Sequence, residues 1–396
     1  MTERLYYDDA YLWEFDGTVT RLREGKKQGT WEALLDRSAF YPTSGGQPFD
    51  TGKLLFAGGE ACVTDVEADR EGEVWHTLDR AVPEGTAVHG CIDGKRRTDH
   101  MEQHGGEHML AGAIWETLQG TTIGLHLGQE DSTIDVTLPE ERTHLTEEEI
   151  RMLEDTVNSR IRLDAPIRCW FPAKEELESL PLRKAPTVQE HVRIVAMGDF
   201  EMVACGGTHP SSTGRIGMLK ILSVIPAKGK ARISFVCGGR AAAVFQKYMR
   251  CADKAGAALS CPVEKLSRAA SDLKSRLAEA ERKANRFETK ELLEKFRAAE
   301  STEDLKGITL AAVVTEEADA RAVTAAVSEY IAEKGKLLLL AAGERLTFAR
   351  SENVPVDMSE LIRRVGRGGG RPEMASGAGI PECVGVARKI LMTEMK

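Results

Sequence analysis

Two short motifs about a hundred residues apart constrain this chain more than anything else in it. The first, Gln103-His104-Gly105-Gly106-Glu107-His108, has the spacing H-x-x-x-H. On an α-helix, residues i and i+4 share one face a turn apart, so both imidazoles can reach one ion. The second, Cys205-Gly206-Gly207-Thr208-His209, is C-x-x-x-H on a glycine turn. Three nitrogens and one sulfur suit Zn²⁺ better than a hard cation. The fold is therefore expected to gather His104, His108, Cys205 and His209 around one zinc. Four protein ligands normally mark a closed, structural site. Catalysis there would need a loosened ligand, a fifth coordination position, or a metal that positions substrate while neighbouring groups handle the water. His100, His104 and His108 also repeat at one spacing, which by itself marks only a helix face. His104-x-x-Glu107-His108 matches the inverted zinc-peptidase pattern too, in which Glu107 would be the general base.

The 396 residues are too many for one ordinary core, so two or three domains are expected. At 42% hydrophobic and 29% charged, the composition is globular. A net charge of −9 argues against a generally basic nucleic-acid binder, so any RNA contact needs a local basic patch. No apolar run approaches a membrane span, and the N-terminus opens no signal segment, so no membrane partner is expected. The 8 cysteines lack paired spacing, which reads as reduced thiols in the cytoplasm. All but Cys205 are expected to be buried or inert.

In chain order, residues 2–93 alternate in strand fashion, as in Trp13-Glu14-Phe15 and Val63-Thr64-Asp65-Val66. Within them, Phe40 to Gly52 is a loop of glycines flanked by prolines, rigid enough to approach a ligand or simply a tight β-connection. Asp99-x-x-Glu102 predicts a capping box opening a helix to about Gly120, with the basic cluster Lys95-Arg96-Arg97 just upstream. Thr146-x-x-Glu149 predicts a second, whose helix buries Ile150, Leu153, Val157 and Ile161. Short strands and turns then run from Ile167 to Phe235. Between Pro262 and Ala299, Leu266, Ala270, Leu273, Leu277, Ala280, Ala284 and Phe287 follow heptad spacing. This predicts either a helical stalk, paired in a hairpin or homodimer, or one amphipathic helix packed on a domain. Ala311 to Val314 and Lys336 to Ala341 read as parallel strands joined by a helix near 320–333. The run Arg363 to Pro372 combines consecutive glycines with four arginines and no acid, which predicts a phosphate or RNA cradle, against a plain flexible loop.

These segments resemble the editing domain of alanyl-tRNA synthetases, and most closely the long form of free-standing alanyl-tRNA editing proteins. Phe40 to Gly52 resembles the family's glycine-proline loop, and Met101 to Leu110 its H-T-x-x-H helix. His126 to Asp135 resembles the strand carrying a substrate-side glutamine, and Cys205 to Lys220 the C-G-G-T-H turn with the T-G-x-I-G after it. Gly366 to Gly379 resembles the glycine-rich motif of a DHH-associated C-terminal domain. The resemblance implies an α+β multidomain fold. Its parts would be a small barrel-like β subdomain (1–93), an α+β zinc-binding editing domain (94–240), a helical stalk (241–304) and an α/β glycine-rich domain (305–396). It implies zinc on His104, His108, Cys205 and His209, with Gln129 near the aminoacyl group and Thr208 a weaker candidate; Glu107 joins them as a catalytic candidate from the H-x-x-E-H pattern alone. Gly45, Gly46, Gln47 and Ser132 would touch substrate; the basic clusters themselves, on an otherwise acidic chain, offer Arg96, Arg97, Arg367 and Arg371 to RNA. The implied partner is tRNA(Ala) mischarged with serine or glycine, hydrolysed in trans without ATP; the full synthetase's aminoacylation domain has no room before the loop near residue 40. An alanine pocket cannot strongly reject smaller glycine or nearly isosteric serine, so a second, hydrolytic site is needed. Two positions depart from the family: Gly105 stands where Thr is common, and Glu107 where synthetases often carry Thr. The lost hydroxyl bears on how a substrate hydroxyl is read. A tRNA-binding module with a structural zinc and no catalysis is the competing expectation.

Overall fold

Period-two alternation in the N-terminal segment closes into a barrel. In chain order the strands of the computed structural model are β1 (Glu3–Arg4), β2 (Glu14–Glu24), β3 (Trp31–Leu35), β4 (Arg37–Ser38), β5 (Gly52–Phe56), β6 (Gly59–Ala68), β7 (Val74–Leu78) and β8 (Ala87–Ile92). The structure describes residues 1–186, 190–301 and 305–395. β1 and β4 form a small parallel pair, and the other six strands close in the order β2-β3-β7-β6-β5-β8. Inward side chains such as Phe15, Phe40, Leu54, Val66 and Leu78 fill the interior. Outward positions are more exposed, as the alternating burial of β8 illustrates.

The chain then enters α1 (Gly94–Leu118), which starts earlier than Asp99 and Glu102 predicted. Asp93 is the N-cap, its carboxylate accepting from the Arg96 N–H at 3.1 Å. Asp99 and Glu102 are committed elsewhere. The Arg240 guanidinium grips Asp99 at 2.6 and 2.8 Å, and the Gly239 N–H donates to Glu102 at 2.9 Å. Lys95, Arg96 and Arg97 consequently lie in the first turn of the helix, where positive charge opposes its dipole. Arg97 answers this by burial against acid, and its expected RNA role is corrected here. It is fully buried, paired with fully buried Asp50. It also donates to the Ala10 and Ala39 carbonyls at 3.0 and 2.6 Å. Asp50 in turn accepts from the Tyr41 N–H at 2.7 Å. No phosphate can reach a guanidinium so enclosed; it ties the helix to the barrel instead.

Next come β9 (Thr121–Leu127), β10 (Ser132–Thr137), α2 (Glu147–Arg162), β11 (Ile167–Trp170), α3 (Lys174–Ser179), β12 (Ile194–Met197), β13 (Glu201–Ala204), β14 (Leu219–Ala227) and β15 (Lys230–Cys237). They make two antiparallel sheets, β14-β15-β10-β9 and β11-β12-β13. α2 opens on the expected Thr146–Glu149 capping box, with Leu153, Val157 and Ile161 buried. These elements and the C-terminal half of α1 share one core, from Met109 and Ile114 to Ile134, Val195 and Phe235. α4 (Gly238–Leu259) follows, and the first compact unit ends within it, at Cys251.

The second unit, Ala252–Lys396, holds α5 (Leu266–Ala298), β16 (Thr309–Thr315), α6 (Ala320–Ala332), β17 (Lys336–Ala342), β18 (Arg345–Arg350), α7 (Met358–Val365), β19 (Arg367–Gly370), β20 (Met374–Ala378) and α8 (Glu382–Glu394). The expected parallel pair is β16-β17 with α6 as crossover, inside a sheet ordered β16-β17-β18-β20-β19. α5 is one continuous helix whose buried residues are Leu292, Leu293 and Phe296. Its heptad face is open, with Leu273 51%, Leu277 58% and Phe287 74% exposed. The glycine run is an edge strand and not the expected cradle. Gly368 pairs with Gly377, and Gly370 with Ala375, in an antiparallel hairpin. A side chain at Gly368 would stand 2.6 Å from the Ser376 carbonyl oxygen, so close strand approach accounts for glycine there. Arg364 is engaged with Glu394 at 2.8 Å, and Arg363 with Ser359. Arg367 and Arg371 remain exposed. Among the described residues no helix is long and apolar enough to cross a membrane.

The buried pair gives a stability prediction. Asp50→Ala should lower the unfolding free energy by about 3–5 kcal/mol, because it strands a buried guanidinium. Asp50→Leu combined with Arg97→Met should recover most of that loss. Urea denaturation followed by tryptophan fluorescence reads both, and a loss below about 1 kcal/mol for Asp50→Ala would refute the tie.

Candidate metal centre

From Gln103 to Ile114 every residue of α1 is buried. A helix enclosed on all sides needs small residues where neighbours press in. A side chain at Gly106 would overlap Cys237 Sγ, and one at Gly112 would come within 2.7 Å of Glu201 Oε2. At Gly105 a Cβ would lie 3.0 Å from Ile216 Cγ1 and 3.3 Å from Pro210 Cδ. Position 105 therefore faces apolar packing by Ile216 and Pro210, with little room for a side chain.

His104 and His108 stack one turn apart with ring centroids 5.0 Å apart. The turn after β13 brings His209 within 4.4 Å of His104 and 4.8 Å of His108, centroid to centroid. Cys205 Sγ lies 3.5 Å from His104 Nε2 and 3.3 Å from His209 Nε2. One donor atom from each of His104, His108, Cys205 and His209 falls within 4.8 Å of all the others. The two motifs thus converge on a common centre. Arg193 holds the turn in place by donating to the Cys205 and Gly207 carbonyls at 3.1 and 2.8 Å. The Gly207 N–H points at Cys205 Sγ at 3.4 Å. Gly207 lies so close to His104 that any side chain there would overlap the ring.

Gln47, expected at the substrate, is fully buried and orients a ligand. Its Oε1 accepts from the Thr208 N–H at 3.1 Å, which fixes the amide's orientation. The same oxygen stands 2.8 Å from His104 Nδ1, so that nitrogen carries the proton and Nε2 faces the cluster with its lone pair. Gln47 Nε2 donates to Thr208 Oγ1 at 2.8 Å. Thr208 is likewise buried and acts by holding Gln47.

Burial holds all three imidazoles neutral, pulling His104 down to about 3 and His108 and His209 well below the ordinary range. Burial also pushes the Cys205 thiol up to about 12. The protein alone therefore places four uncharged donors together, and a cation there would convert the thiol to thiolate. Both ring nitrogens of His108 are buried without a protein hydrogen-bond partner, which leaves one of them free for an ion. The donor set fits a divalent transition metal of borderline softness. Glu107 is buried beside the cluster. Desolvation raises its carboxyl to about 7, partly offset by Arg183 and reinforced by Glu201, which Arg183 grips at 2.8 and 2.9 Å.

A cavity of about 430 Å³ opens onto His104 and Cys205, walled by Tyr7, Tyr41, Gly45 and Phe171. Gly45 lines this cavity. Gly46 does not, because it is locked against β9, its carbonyl accepting from the Leu127 N–H at 3.1 Å. Ser132 is buried on β10, outside that wall, with no protein partner for its hydroxyl. Gln129 is exposed and lines a different groove of about 1060 Å³ with Arg96, His100 and Arg240, which does not reach the cluster. Its expected place at the chemistry is corrected accordingly: the turn between β9 and β10 points it away from the ligands. Arg96 stays half-buried at that groove, its Nε donating to the Phe49 carbonyl at 3.0 Å. The sequence reading missed Arg193 and the aromatic wall, since neither belongs to a spaced motif.

Gln47→Met keeps the volume but removes the acceptor that sets the His104 tautomer. It should weaken metal binding about 10–100-fold, measured by competition with a chromophoric chelator. Unchanged affinity would mean His104 needs no such support.

Residues 192–234 match the family described as Threonyl and Alanyl tRNA synthetase second additional domain. Residues 2–96 match the one described as tRNA synthetases class II (A). An alanyl-tRNA editing protein AlaX-L of Pyrococcus horikoshii is 31% identical over 407 residues, covering 95% of this chain and 94% of that protein. An alanine–tRNA ligase of Pyrobaculum neutrophilum is 33% identical over 398 residues, 95% of this chain but 42% of the ligase. That of Pyrococcus furiosus is 37% identical over 277 residues, 67% of this chain and 29% of the ligase. The chain spans less than half of these two ligases.

Proposed function

The chain belongs to the family of alanyl-tRNA editing proteins, and from that premise we propose that it is a zinc-dependent hydrolase that deacylates Ser-tRNA(Ala), and secondarily Gly-tRNA(Ala). The observation that carries the reading is the convergence of His104, His108, Cys205 and His209 beside a cavity of about 430 Å³. That volume accommodates an aminoacyl ester and part of its ribose. Those four residues would hold a zinc ion, which would supply a Lewis acid for the ester carbonyl or an anchor for the substrate amine. The chain's own groups do the rest. Tyr7, Tyr41 and Phe171 wall the cavity, and Gly45 leaves room for the ester. Glu107 is the candidate to hold a proton beside the ligands, while Gln47 and Thr208 keep His104 oriented.

The test is deacylation of Ser-tRNA(Ala) at sub-stoichiometric protein. Cys205→Ala and His104→Ala should each cost about a hundredfold or more, as should chelation of the metal. Full activity in both variants would remove the metal from the reaction. Binding without any turnover would favour the tRNA-binding module. Glu107→Gln should leave measurable deacylation, whereas a peptidase built on H-x-x-E-H would lose nearly all its activity.

For tRNA contact beyond the cavity, Arg367 and Arg371 are the exposed pair that we assign to phosphates. Replacing both with Ala should weaken tRNA binding and flatten its dependence on the logarithm of salt concentration by roughly 1–2 units. An unaltered slope would leave the edge hairpin with a folding role alone.

A further inference from the structure

The outer wall of the barrel carries a second group of metal-ligating side chains, Glu14, His89 and Cys91. Its placement follows from sheet register. β2 and β8 run antiparallel with Glu14 opposite Cys91 and Asp16 opposite His89. Inward Phe15, Val88, Gly90 and Ile92 alternate with these outward positions. Period two therefore puts four polar side chains in a square on one face of a two-strand ribbon. Gly90 lets Phe15 pass directly beneath, since a side chain there would overlap the ring.

Within the square the histidine is already oriented. His89 Nδ1 makes a 2.9 Å hydrogen bond to Asp16 Oδ1, and Nε2 lies 3.6 Å from Glu14 Oε2. This is the carboxylate–histidine arrangement by which metal sites fix a tautomer and aim the second nitrogen. One donor atom each from Glu14, His89 and Cys91 lies within 4.8 Å of the others. Tetrahedral bonds of about 2.0–2.3 Å separate ligand atoms by roughly 3.3–3.8 Å, so a small contraction completes the site. The neighbouring cation does not fill it: Lys53, opposite Cys91 on β5, is held by Glu60 at 2.9 Å.

We propose that Glu14, His89 and Cys91 form a second divalent transition-metal site on the barrel, with Asp16 as positioning residue. Nitrogen, sulfur and a single carboxylate select zinc or cobalt over magnesium or calcium. The fourth position opens to solvent, because the Glu14 and His89 side chains are 69% and 40% exposed. Cys91 is half-buried and faces this group.

The test uses the full chain, stripped with chelator and titrated with Co²⁺, the bound metal then being displaced by Zn²⁺. Wild type should take two equivalents, each with a thiolate-to-cobalt charge-transfer band. Cys91→Ser and His89→Ala should take one, with deacylation and circular dichroism unchanged. Cys205→Ser should lose the other equivalent, which separates this site from the first. Asp16→Asn should keep the stoichiometry and weaken the second equivalent about 10–100-fold. One equivalent in wild type, or two in Cys91→Ser, would reduce the cluster to a surface ion pair and overturn the proposal. Should His89→Ala fail to fold, Cys91→Ser carries the same decision, since it changes one atom on the outer face.

Discussion

One buried amide joins the three segments on which the first unit is built. Gln47 comes from the barrel loop, His104 from α1 and Thr208 from the turn after β13, and Gln47 bonds to both partners. Its Oε1 satisfies the Thr208 amide and fixes the proton on His104. Asp50, three residues along the same loop, makes the second tie by burying Arg97. A rigid loop between prolines thus anchors the helix at two points, one at its charged start and one at its first ligand. Unpaired, each of these buried groups would cost free energy, so the barrel and the helix stabilise one geometry together.

The same burial sets the electrostatics of the centre. Three imidazoles are held neutral and a thiol is held protonated by removal from water. An arrangement so reluctant to carry its own charge gains most from a cation, whose field favours thiolate and uses the free nitrogen lone pairs. Glycines at 106 and 207 are the steric counterpart, because the chain passes too close for side chains at both places. The metal-ligating group on the outer barrel wall is built on the opposite principle. It rests on strand register at the surface, with exposed carboxylates and room for solvent.

The second unit illustrates how composition can mislead about conformation. Glycine and arginine in succession read as a loop whose amides cradle phosphate. The same glycines in fact permit two strands to approach closely at a sheet edge. The cationic side chains survive that revision, since Arg367 and Arg371 are exposed, but the strand is extended and pairs on one side, so its amides do not converge into a cradle. In α5 the heptad spacing correctly marks a helix, yet its apolar face is uncovered over Leu273, Leu277 and Phe287. Periodicity records which residues share a face, and not what lies against it.

By itself, the sequence determined what depends on short-range spacing. The i, i+4 histidines, the Thr146 capping box, the alternating barrel strands and the βαβ pairing of β16 with β17 all follow from local periodicities that backbone geometry imposes. It also named the four converging side chains, because two motifs of metal-binding residue types are rare enough to be read together. Tertiary structure decided what those side chains do for one another. Gln47 became an orienting group, Arg97 a buried tie and Gln129 an outward residue on another groove, while Arg193 entered as the clamp on the cysteine turn. These roles depend on distances between segments far apart in the chain. Such distances are set by how the barrel, helix and sheets pack, and no local pattern encodes them.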